Sequence, residues 1–96
     1  MTDWRPAAGI EAARNRAAMM RRIRARFEAT GALEVDTPAL SHYAVSDTQI
    51  ESLEIQKSLV SRRPMFLHTS PEFCMKRLLS AGYPDIFTIC RVFRDG

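Results

Sequence analysis

Residues 10–29, IEAARNRAAMMRRIRARFEA, constrain this chain more than any other stretch. Ile10, Ala13, Ala17, Met20, Ile23 and Phe27 recur at spacings of three and four, which is one face of a 3.6-residue period. The segment is expected as a single amphipathic helix. Gly31 stands where such a helix ends on a left-handed residue. Arg14, Arg16, Arg21, Arg22, Arg24 and Arg26 cover much of the remaining surface. The apolar stripe of Met20, Ile23 and Phe27 needs a partner, either the chain's own sheet or a second copy across a dimer axis.

Beyond Gly31 the chain reads as short elements. In ALEVDTPAL, Leu33 and Val35 point to one side of a short strand, and Pro38 stops pairing because it has no N–H to donate. Residues 41–49 are expected as an exposed loop. His42 in that loop is expected at the surface rather than on a metal, since no second His, Cys or acid stands at metal spacing. Residues 50–56 carry a weak strand pattern, with Ile50, Ser52 and Glu54 alternating against Glu51, Leu53 and Ile55. SRRP reads as a turn and MFLHT as a short strand ending at Thr69. SPEFCMKRLLSAG reads as a helix closed by Gly82, and Pro84 separates it from a last strand, about Asp85 to Phe93. The order helix, strand, strand, strand, helix, strand predicts a mainly antiparallel α+β arrangement with hairpin-type pairing. Its sheet is expected to be unfinished, with an edge that nothing in the chain covers.

Composition narrows the class. Ninety-six residues make at most one small domain with a thin stability margin, and 46% hydrophobic with 26% charged residues is ordinary for a globular protein. No apolar run approaches the ~20 residues of a membrane span. The start, MTDWRPAAGIEAARNR, is not a signal peptide. Cys74 and Cys90 match no metal or redox spacing and are expected as reduced core residues of a cytoplasmic protein. The net charge of +3 is unevenly placed, with seven of the fourteen Lys+Arg between Arg5 and Arg26, opposed there only by Glu11. That cluster suits nucleic acid or an acidic partner, and it is equally what a solvated helix face looks like.

Two stretches can carry chemistry. TSPE, residues 69–72, is a helix start: Thr69 with Glu72 makes a capping box, and Ser70 as the cap with Pro71 in the first turn fits as well. Glu72 and Lys76 then form an ordinary i,i+4 surface pair. RVFRDG, residues 91–96, sets Arg91 and Arg94 on a strand. Arginine is planar, always charged and able to donate two parallel hydrogen bonds, which suits a phosphate. The other reading is pairing with a carboxylate such as Asp85 or Asp95.

Taken in order, the basic helix running into EVDTPAL, then HTSPEFCMKRLLSAG, then IFTICRVFRDG resembles the catalytic domain of class II aminoacyl-tRNA synthetases of the lysine type. The resemblance runs from about Ile10 to Gly96. Residues of about 10–40 look like motif 1, which forms the dimer interface in that family, and residues of about 85–96 look like the start of motif 2. TSPEFCMKRLL and CRVFR are closer to the short paralogues, the elongation factor P–(R)-β-lysine ligase family, than to the synthetases' wording. The helix begins within about ten residues of Met1, which leaves no room for an anticodon-binding domain ahead of it.

The resemblance implies a class II synthetase-like antiparallel sheet with flanking helices, working as a homodimer. It implies ATP-dependent activation of lysine or (R)-β-lysine as an adenylate, with Mg²⁺, and transfer to a lysine of elongation factor P. A lysyl-tRNA synthetase acting on tRNA, and a non-catalytic tRNA- or protein-binding module, are the alternatives. Arg94 would bind the α-phosphate, beside Asp95 and Gly96, and Ser70, Pro71 and Glu72 would line the amino-acid pocket. Met20, Ile23, Phe27 and Pro38 would lie at the dimer interface. The family's motif 2 reads Phe-Arg-x-Glu, whereas Gly96 stands at the glutamate's place, so the carry-over to a side chain stops at Arg94. Motif 3 is not among these residues, which are expected to be the N-terminal part of a longer enzyme and inactive alone.

Overall fold

The computed structural model of the chain describes residues 3–43, 52–56, 58–59 and 61–95. Its elements run α1 (Ile10–Ala29), β1 (Leu33–Glu34), β2 (Leu40–Ser41), β3 (Glu54–Ile55), β4 (Met65–Leu67), α2 (Glu72–Ser80) and β5 (Ile86–Phe87). Helix α1 has the bounds that its periodicity predicts. Both helices close by the same device. Gly31, at φ 86°, donates its N–H to Glu28 O and the next residue, Ala32, reaches back to Phe27 O. Gly82, at φ 98°, donates to Leu79 O while Tyr83 reaches Leu78 O. This paired pattern satisfies carbonyls that the last turn leaves open, and the positive φ it demands is one that glycine adopts without a Cβ penalty.

The strands form two small sheets. One is antiparallel and three-stranded in the order β2-β4-β3, with Leu40 opposite Leu67, and Glu54 and Ser41 both opposite Phe66 from either side. The other is a parallel pair, β1 with β5, in the register Leu33 to Ile86 and Glu34 to Phe87. The arrangement is α+β, as expected, but this pair departs from hairpin-type pairing because α2 crosses between its strands. A parallel pair needs such a crossover.

Four other expectations change. Strand β2 lies just past Pro38, where pairing was expected to have stopped; the proline removes one donor, and the ladder resumes at Leu40. The last strand is regular only over Ile86–Phe87, not to Phe93; among the described residues its bonds to the β1 segment end with Val35 N–H to Phe87 O (2.9 Å). Cys90 lies on the unpaired part and is exposed, while Cys74 is half-buried, so Cys90 is not a core residue. Of the expected loop and second strand, residues 44–51 lie outside the described residues. His42 is half-buried, with Nδ1 shielded and unpartnered, rather than fully at the surface.

Packing is sparse. Phe87, 5% exposed, is the one buried hydrophobic side chain among the described residues. Its ring stacks on Phe27 of α1 at 4.8 Å between centroids and 12° between planes. Arg24 Nε, bonded to Glu34 Oε2 at 3.0 Å, holds the same end of the helix to β1. Elsewhere α1 has no buried residue. The radius of gyration is 17.1 Å, against about 13 Å for a compact chain of roughly 100 residues.

Candidate functional site

The two chemistry-bearing stretches come together at the end of β4. At the start of α2, Ser70 Oγ accepts from the Glu72 N–H at 3.1 Å, and Pro71 O accepts the first helical bond from Met75 at 3.0 Å. Pro71, not Ser70, is therefore the capping residue, with no side-chain cap bond of its own, and Ser70 sits one residue ahead of it, closing a local turn onto the Glu72 N–H. The reciprocal Thr69–Glu72 pair is not formed, since the Glu72 carboxylate lies 3.0 Å from Lys76 Nζ. That ion pair is the expected i,i+4 contact. Both of its side chains are more than two-thirds exposed, so it stabilises by only roughly 0.3–0.5 kcal/mol and leaves the carboxylate free to exchange partners.

His68, two residues before Ser70, joins this helix start to the arginine-bearing segment. Its N–H donates to Ala39 O at 2.7 Å, and its carbonyl accepts from the Phe93 N–H at 3.0 Å. Its ring Nε2 lies 2.7 Å from Arg91 O. A carbonyl oxygen can only accept, so Nε2 donates in this bond. Nδ1 is shielded from solvent and has no partner. The imidazole also packs at a tilt against the Phe93 ring, with centroids 6.3 Å apart. One residue thus holds the end of the β1–β2 connection, the start of α2 and the segment leading to Arg94 in register.

A cleft of about 360 Å³ opens beside this junction, with Met20 of α1 on one wall, Thr37 and His68 on another, and Ile89, Arg91 and Phe93 on the third. Thr37 Oγ1 in its wall is shielded and unpartnered, like His68 Nδ1. Arg91 and Arg94 are exposed, and among the described residues neither guanidinium forms an ion pair, so the expected alternative of a bond to Asp85 or Asp95 is not made. Ser70 and Pro71 are half-buried, and Glu72, Arg94 and Asp95 are exposed. Gly96 lies outside the described residues. Of the four residues assigned to a dimer interface, Met20 is half-buried, while Ile23, Phe27 and Pro38 are exposed.

The exposed, unpaired guanidinium of Arg94 fits a nucleotide phosphate. For Mg²⁺ the described residues bring together no group of three or more His, Cys, Asp or Glu, so no step is assigned to the ion. No helix among the described residues is long and apolar enough to cross a membrane. His68 opens the HTSPE stretch, and nothing in that local pattern marks it out. Its contact to Arg91 spans 23 residues, and no local pattern reports a bond of that range.

Comparison with known proteins gives the same picture at the level of family. The model of class II tRNA synthetases (D, K and N) matches residues 1–96. Among curated proteins the chain is 43% identical over 96 residues to the elongation factor P–(R)-β-lysine ligase of Vibrio vulnificus, covering 97% of this chain and 30% of that protein. It is 44% identical over 96 residues to the ligase of the same name from Haemophilus ducreyi, covering 97% of the chain and 29% of the relative. The Pasteurella multocida ligase is 41% identical over 96 residues, at 97% and 30% coverage. The chain therefore spans about 30% of the length of the curated relatives it matches.

Proposed function

The chain belongs to the class II tRNA synthetases of the D, K and N type, and from that premise we propose that it serves as the motif 1 and early motif 2 part of an ATP-dependent lysine ligase. Its substrate is lysine or (R)-β-lysine and its acceptor is a lysine side chain of elongation factor P; the names of the relatives carry (R)-β-lysine and elongation factor P. The observation that carries the reading is the junction at His68. Its bonds to Phe93 N–H (3.0 Å) and Arg91 O (2.7 Å) link the segment that carries the phosphate-binding candidate Arg94 to the stretch that carries the amino-acid-binding candidates Ser70, Pro71 and Glu72.

In this reading the substrate carboxylate attacks the α-phosphorus of ATP, the bond to the β-phosphate breaks, and pyrophosphate leaves. Arg94 neutralises charge that develops on the α-phosphoryl oxygens, a role that requires a donor aimed in advance. Asp95 and Gly96 contribute backbone beside the nucleotide. Glu72 exchanges its solvated bond to Lys76 for the ammonium of the substrate, fixing which end of the amino acid faces the phosphate. The acceptor amine then attacks the acyl carbonyl and releases AMP. The parts of Met20, Ile23 and Phe27 that the chain's own contacts leave uncovered, together with Pro38, pack across a homodimer axis, and the protein works in the cytoplasm.

The test is the acceptor. Full-length protein is incubated with ATP and (R)-β-lysine or lysine, and with elongation factor P or tRNA. Mass spectrometry is expected to show one lysyl adduct on elongation factor P and no charged tRNA. Charging of tRNA without the protein adduct would instead select the lysyl-tRNA synthetase reading, which the family match also accommodates.

A further inference from the structure

Arg94 is useful only if it is held still, and the ladder does not hold it. Strand β5 ends at Phe87, and residues 88–95 have no regular strand structure. Among the described residues, the hydrogen bonds that tie this segment to the rest of the chain both end on His68: Phe93 N–H to its carbonyl and its ring Nε2–H to Arg91 O. The first uses backbone, which any residue supplies. The second needs a donor at the distal position of a ring-sized side chain.

The geometry of the ring points the same way. Nδ1 is enclosed without a partner, so the imidazole gives up one of its two hydrogen bonds in order to make the other. Leaving a shielded ring nitrogen unpaired is unfavourable, and a buried polar atom left so in a fold calls for a reason. The ring leans on Phe93, the residue next to Arg94, so its position and that of the arginine are linked through packing as well.

We infer that His68 is the positioning residue for Arg94: its Nε2–H, by fixing the Arg91 carbonyl, sets where the Arg94 guanidinium stands relative to Ser70–Glu72. The inference rests on the function proposed above for Arg94, but its structural half stands apart from it. A side chain that only fills space at position 68 would be replaced by any residue of similar volume. One that acts through Nε2–H is replaced by Gln, whose amide nitrogen reaches the same place, and not by Asn, whose amide falls at the Nδ1 position, nor by Leu.

The experiment therefore compares His68→Gln, His68→Asn and His68→Leu with the unsubstituted full-length protein by two independent readouts. The first is nuclear magnetic resonance: the imidazole ¹⁵N shifts are expected to show the Nε2–H tautomer, and the Phe93 amide is expected to exchange about tenfold faster or more in the Asn and Leu variants but not in Gln. The second is the rate of adenylate formation. Here kcat is expected to fall about 10- to 100-fold in Asn and Leu, the scale of a misplacement of about 1 Å, with KM for ATP changed less than about threefold and Gln restoring the rate. An Nδ1–H tautomer, Phe93 exchange that is indifferent to the donor, or Asn and Leu matching Gln in kcat overturns the inference. If the unsubstituted protein forms no adenylate, the proposed function falls instead, and the tautomer and exchange data still decide the role of His68.

Discussion

Helix α1 is tied to the rest of the chain by side chains, Phe27 stacked on Phe87 and Arg24 bonded to Glu34, whereas the junction ahead of α2 is tied by hydrogen bonds to backbone that converge on His68. The two kinds of attachment have different physics. Stacking and burial are non-directional and grow with the apolar area removed from water, and here that area is concentrated on Phe87. Hydrogen bonds are directional and fix geometry within narrow limits whether or not a large core surrounds them. The chain thus keeps the geometry of its candidate site where burial is poor. It leaves to burial the long arginine-rich helix, whose Ile23 and Phe27 stay 36% and 45% exposed.

The comparison can be broken most sharply at Phe87. Phe87→Ala is expected to cost about 3–5 kcal/mol, the range for deleting a buried aromatic ring, and to free α1. Urea denaturation followed by circular dichroism measures it. A loss under about 1 kcal/mol would show that α1 is held by something other than this stack. A smaller effect sharpens the likeness between the helices rather than the contrast. Gly31→Ala and Gly82→Ala are each expected to cost about 1–2 kcal/mol, because both sites require positive φ. A Cβ at either position would meet no atom within 4 Å, so the cost is one of backbone conformation alone, and the two values should agree. Unequal values would mean that one helix end bears on tertiary structure and the other does not.

Legibility in the sequence divides along the same line. The bounds of α1, the glycine ends of both helices and the Glu72–Lys76 pair are all decided within a turn or two of chain, and local patterns report them. Strand β2, the parallel register of Leu33 with Ile86, the early end of β5 and the exposure of Cys90 depend on partners far along the chain, and no local pattern carries them. The site divides likewise. TSPE and RVFRDG could be recognised one at a time. That His68 binds both Phe93 and Arg91 required the fold.

The proposed role of Arg94 is to act on a nucleotide phosphate at a site completed by Ser70, Pro71 and Glu72. Amino-acid-dependent exchange of pyrophosphate into ATP tests it most directly, with full-length protein and its Arg94→Ala variant compared under lysine and under (R)-β-lysine. The account predicts exchange with at least one of the two amino acids. It also predicts a fall of about 10²–10³-fold in the variant, the scale of losing one preorganised donor to transition-state charge, with unfolding behaviour unchanged. Residues 1–96 alone are predicted to show none. Undiminished exchange in the variant, or none in the full-length protein with either amino acid, would contradict the account.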